Sequence, residues 1–94
     1  MSAKELRAKF RLGWIVSTPN ALSHLTNEDI LTAIQRHHAG DWGDVDDSDR
    51  KENELSLERG FRLFSVYRSA SGMKFWLITE ADRSVTTVLL PEDY

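Results

Sequence analysis

The chain contains no cysteine. That removes disulfides, a thiol nucleophile and any cysteine-ligated zinc site, and it suits a reducing compartment. Long apolar runs are missing too, since none approaches the roughly 20 residues that a membrane-spanning helix requires. The opening MSAKELRAKF carries charges with no apolar signal segment behind it. Secretion by the ordinary route is therefore not expected, and a cytoplasmic location without membrane contact is. Nor is there a basic excess: the formal net charge is −3. A domain that coats a nucleic-acid backbone usually carries one, so nucleic-acid binding would need the scattered arginines to gather into a single stripe.

What is present suffices for one small folded domain spanning 1–94. Hydrophobic residues make up 40% of the 94, with four Phe, three Trp and two Tyr, which excludes disorder throughout. A chain of this length buries only roughly 60–65% of the surface its unfolded form exposes, which favours help from a partner or self-association. Charge is segregated along the chain. Lys4, Arg7, Lys9 and Arg11 outweigh Glu5 at the start, whereas residues 41–58 carry eight acids against Arg50 and Lys51.

The densest hydrophobic stretch is the last third. FRLFSVYRS, MKFWLITE and VTTVLLP alternate apolar and polar residues with period two, separated by ASG and ADRS; they predict three antiparallel strands. Leu63, Ser65 and Tyr67 fall on one face, and Arg62, Phe64, Val66 and Arg68 on the other. Both faces hold apolar residues, so one should pack on helices and the other receive the N-terminal segment or a partner. Phe10 to Val16 also alternates and reads as a fourth strand pairing with this meander. A helix over residues 4–16 competes, with Gly13 against it. Residues 1–9 read as a frayed helix or a flexible lead-in.

Between these ends the pattern is helical. Thr18 and Pro19 form a start signal, and the turn that follows should set Leu22 and Leu25 on the core. Thr26 with Asp29 three residues on resembles a capping box for a helix over 27–38, with Ile30, Leu31, Ala33 and Ile34 as its apolar face. GDWGDVDDSD is a loop anchored by Trp42 and Val45. Residues 48–59 form a short polar helix capped by Ser48 or Asp47 and closed by Gly60. The fold class is α+β, with a three- or four-stranded, mainly antiparallel sheet packed against two or three helices.

Three stretches, GDWGDVDDSDRKEN at 40–53, FWLITEADRS at 75–84 and TTVLLPEDY at 86–94, together resemble a small bacterial family of plasmid-related or phage-related hypothetical proteins with no assigned function. The resemblance covers residues 10–94. It implies a bacterial or phage origin and an accessory role on mobile DNA, and it carries no catalytic residue.

His37 and His38 close the main helix, where its dipole favours them, and neighbouring helical residues point about 100° apart. No H-E-x-x-H spacing is present. Counted from Asp44, position six of a calcium loop would be Asp49 instead of glycine, so no metal and no cofactor is expected. The acids Asp41, Asp44, Asp46 and Asp47, with Trp42 and Trp76, are the candidate partner-binding residues, facing a protein partner or a second copy. An alternative draws on ribonuclease chemistry, with Glu80 as base, His38 as acid and Arg83 stabilising phosphoryl oxygens. The leading reading is a non-enzymatic interaction protein. A ribonuclease-like toxin and a nucleic-acid-binding module are the alternatives.

Overall fold

The computed structural model describes residues 8–94. Its elements are β1 (Trp14–Ser17), α1 (Pro19–His24), α2 (Asn27–His38), α3 (Asp47–Arg59), β2 (Leu63–Arg68), β3 (Lys74–Thr79), β4 (Val85–Leu89) and a closing 3₁₀ turn, Pro91–Asp93. The fold is α+β. One four-stranded sheet has the order β1-β4-β3-β2. The three C-terminal strands are antiparallel neighbours, and β1 joins β4 in parallel. The fourth strand is shorter than Phe10–Val16, because Gly13 takes a left-handed conformation that breaks the extension. Residues 8–10 are irregular, and the rest of the expected lead-in, residues 1–7, lies outside the described residues.

Local chemistry sets the helix starts. The Thr18 side chain accepts from the Ala21 N–H at 3.0 Å, with Pro19 in the first turn. Thr26 and Asp29 cap each other's backbone N–H groups at 3.0 Å in both directions. Asp46 caps α3 by accepting from the Asp49 N–H at 2.8 Å, one residue before the earliest expected cap. Gly60, in the left-handed region, ends α3.

Packing forms two layers. Helices α1 and α2 cover the sheet face that carries Tyr67, Phe75, Leu77, Val88 and Leu90. The inward line of α2 runs Ile30, Ala33, Ile34 and His37, at helical spacing; Leu31 lies outside it and is exposed. In α1 the inward pair is Ala21 and Leu25, while Leu22 is 59% exposed, against expectation. The Thr18 hydroxyl donates to Asp93 at 2.6 Å. Leu25, the residue that ends α1, is in an extended conformation (φ −111°, ψ 146°) and so reaches the core without Leu22, which stays on the exposed side of α1.

The outer edge of β2 is closed. Asn53 of α3 acts as a false strand there: its Oδ1 accepts from the Phe64 N–H at 3.0 Å and its Nδ2 donates to the Phe64 carbonyl at 2.7 Å. Two residues on, the Val66 N–H donates to the Trp42 carbonyl at 3.1 Å, and the Val66 carbonyl accepts from the Asp44 N–H at 2.8 Å. Trp42, Val45, Leu63 and Val66 bury together beneath this seam.

Candidate functional site

Of the three residues considered for catalysis, two line one groove and the third does not. Arg83 has a positive φ of 62° at the β3–β4 turn. Its guanidinium donates to the carbonyls of Phe61 at 2.7 Å, Glu80 at 3.1 Å, Ala81 at 3.2 Å and Ser56 at 2.9 Å. It thereby ties the turn to the negative end of α3. Glu80 points elsewhere, with both oxygens held by Arg62 at 3.1 and 3.2 Å. His38 lines a shallow groove with Arg11, Gly13, Trp14 and Arg83, a volume of about 730 Å³. His38 and Arg83 thus share one groove, and Glu80 is not part of its lining.

His37 is the more constrained of the two histidines. It is fully buried, with Phe10 and Trp42 edge-on to its ring. Its Nδ1 lies 2.6 Å from Ser65 Oγ and its Nε2 2.8 Å from Thr79 Oγ1. Thr79 Oγ1 is 2.7 Å from Thr86 Oγ1, which donates to the Leu12 carbonyl at 2.7 Å. A carbonyl only accepts, so the Thr86 proton goes to Leu12. Thr79 must then donate to Thr86, and Nε2–H to Thr79. Nδ1 is left bare and accepts from Ser65. The chain is closed for a neutral imidazole, and burial lowers the His37 pKa to about 3, with the charges of His38 and Arg83 acting the same way.

The acidic segment is largely engaged internally. Asp41 pairs with Arg36 at 2.8 Å, and this hydrogen bond lowers its pKa. Asp47 pairs with Arg50 at 2.6 Å, Asp44 lies 3.6 Å from Arg68, and Asp46 caps α3. Trp42 is buried, and its Nε1–H donates to Glu54 at 2.8 Å. Among the described residues no cluster of His, Asp or Glu is arranged to hold a metal ion.

The sheet face opposite α1 and α2 carries a mostly apolar cleft. The strand registers place Trp14 and Val16 of β1, Thr87 and Leu89 of β4, Trp76 and Ile78 of β3, and Phe64 of β2 on that face. At its β2–β3 side Arg62, Phe64, Trp76, Ile78 and Tyr94 line a cleft of about 270 Å³. Phe64 meets Trp76 edge-on at 5.1 Å between centroids, and Tyr94 meets Trp76 at 5.9 Å. Arg62 spans the rim, bonded to Glu80 and donating to the Tyr94 hydroxyl at 3.1 Å. Tyr94 is 73% exposed and Trp14 81%.

The strand register is what brings Trp76 to the same face as Phe64. Period-two alternation sets Phe64 on the face of its strand away from Leu63 and Tyr67, so that side of the cleft was within reach of the sequence. Tyr94 was not, because the 3₁₀ turn that folds it back depends on Asp93 accepting from Thr18, 75 positions away. No family model, curated protein or solved structure matches the chain.

Proposed function

We propose that the protein is a non-enzymatic interaction module that takes an apolar anchor of a protein partner into the aromatic cleft between Phe64, Trp76, Ile78 and Tyr94. The observation that carries this reading is a cleft lined by Arg62 and four apolar side chains, three of them aromatic, on the sheet face opposite α1 and α2. Aromatic side chains and arginine are the residue types that dominate protein interfaces, because they give large contact area at low entropic cost. The neighbouring α3 exposes Asp47, Glu52, Glu54 and Glu58, and it packs on β2. A partner whose apolar anchor is flanked by Lys or Arg fits both features.

The test is selection of a displayed random peptide library on the immobilised protein. Enriched peptides should share one aromatic or branched apolar anchor with basic flanks. Their affinity should fall at least ~10-fold on Tyr94→Ala, a change at an exposed side chain that leaves the circular dichroism spectrum intact. Recovery of no consensus, or binding that is indifferent to Tyr94→Ala, removes the reading.

A second reading rests on the groove where Arg11 and His38 meet beside Trp14: binding of single-stranded nucleic acid by charge and stacking. Polarisation of a labelled oligonucleotide should then rise, weaken with salt and be lost in Arg11→Glu. No binding at low salt eliminates it.

A further inference from the structure

The two edges of the sheet are treated unequally. Side chain and loop atoms occupy the β2 edge, as described, so no further strand can add there. On β1, Trp14 N–H donates inward to the Ser84 carbonyl and Thr18 N–H to the Val88 carbonyl, both at 3.0 Å. Backbone groups alternate along a strand, so those of Ile15 and Ser17 point outward. Among the described residues nothing pairs with them. The strand reads WIVS, with no charge, and Trp14, Ile15 and Val16 are all exposed. Natural edges usually carry a lysine, an inward charge or a bulge against unwanted pairing; this one has none.

We propose that β1 pairs antiparallel with β1 of a second copy, joining two sheets into one eight-stranded sheet about a two-fold axis at Val16. The backbone permits one register that uses every outward group: Ile15 opposite Ser17 of the partner, Ser17 opposite Ile15, and Val16 facing its own counterpart. This gives two hydrogen-bonded pairs around one close non-bonded pair. Pro19, which lacks an N–H, stops the ladder at one end, and the left-handed Gly13 stops it at the other. A symmetric pairing of this type is isologous, so each device needs to arise only once in the sequence.

Charge fits the same orientation. Arg11 lies three residues before β1, is exposed and forms no ion pair with any described residue. At the opposite end of β1, Thr18 and Asn20 hold Asp93, and Asn20 also bonds Glu92. Antiparallel pairing brings the Arg11 end of each copy to the Glu92–Asp93 end of the other. A parallel arrangement would set like ends together. The contact is short, placing the dimer among weak interfaces with a dissociation constant of ~10–100 μM. It stands independently of the cleft around Trp76.

Sedimentation velocity from ~1 μM to ~1 mM, with amide exchange by NMR at both ends of that range, tests the proposal. We expect a monomer–dimer equilibrium in which the Ile15 and Ser17 amides gain protection as concentration rises. Ile15→Lys should raise the dissociation constant at least ~10-fold with an unchanged fold, since an edge lysine opposes pairing. Arg11→Glu and Glu92→Arg should each weaken the dimer, and the double exchange should restore it. A strict monomer throughout overturns the proposal, as does protection independent of concentration, the signature of an intramolecular cover. Association indifferent to Ile15→Lys, or the absence of rescue in the charge exchange, overturns it equally.

Discussion

His37 shows how one side chain couples burial, hydrogen bonding and acid sensitivity. In the unfolded chain its pKa is the ordinary 6.5, and in the fold it is about 3. The folded pKa is the lower, so between these values the unfolded state binds the extra proton. Stability is therefore complete above pH 6.5 and falls as the pH drops toward 3, with a slope of ~1.4 kcal/mol per pH unit from this one group. Asp29 and Asp41, whose pKa values are lowered chiefly by the Ala70 N–H and by Arg36 respectively, add their own losses at lower pH. His37→Leu should flatten the decline between pH 6.5 and 4.5 in denaturant titrations. At pH 7 it should cost ~1–3 kcal/mol, because Ser65 and Thr79 lose their buried partner. An unaltered slope in the variant would mean that His37 is not the group responsible.

Among the elements, the closed β2 edge rests on polar groups that no hydrophobic pattern reports. Asn53→Asp keeps the acceptor for the Phe64 N–H but sets a carboxylate oxygen against the Phe64 carbonyl, which should cost ~2 kcal/mol in chemical denaturation. Glycines in the same region separate two causes of strain. A Cβ at Gly43 would lie 2.0 Å from the Val66 carbonyl oxygen, whereas one at Gly60 meets nothing within 4 Å. Gly60→Ala should therefore cost only the left-handed backbone, ~1 kcal/mol. Gly43→Ala should cost several-fold more and loosen the seam between loop and sheet. Equal losses at the two positions would contradict this account of the edge.

These elements also mark what the sequence could convey. Thr26 with Asp29, Thr18 with Pro19, and the terminal Gly60 act within four residues, so their signals are local and the helix bounds could be read from them. The three C-terminal strands announce themselves by alternation for the same reason. The parallel β1–β4 pairing joins residues about 70 positions apart, and no property of WIVS alone distinguishes it from an antiparallel pairing. Asn53 reads as an ordinary polar residue of a polar helix, and His37 as a helix-end histidine; only the strands beneath them give them buried work. The charge of Arg83 is visible in the sequence, whereas the four carbonyls that its guanidinium binds are not.

At the scale of the whole molecule, and among the described residues, the sheet has one face under α1 and α2, an apolar cleft on the other, one edge closed and one edge unpaired. Charge follows the same asymmetry, with acids concentrated on α3 beside the cleft and Arg11 at the start of β1. The two proposals assign these features different partners, the cleft an apolar anchor and the β1 edge a second copy. The cleft is the central claim, and the most direct measurement is a two-dimensional amide spectrum of the labelled protein titrated with a peptide selected on it. The account predicts shift changes centred on Phe64, Trp76, Ile78 and Tyr94, including the Trp76 indole N–H. Changes confined to Arg11, Trp14 and His38 would contradict it and place the binding surface in the basic groove.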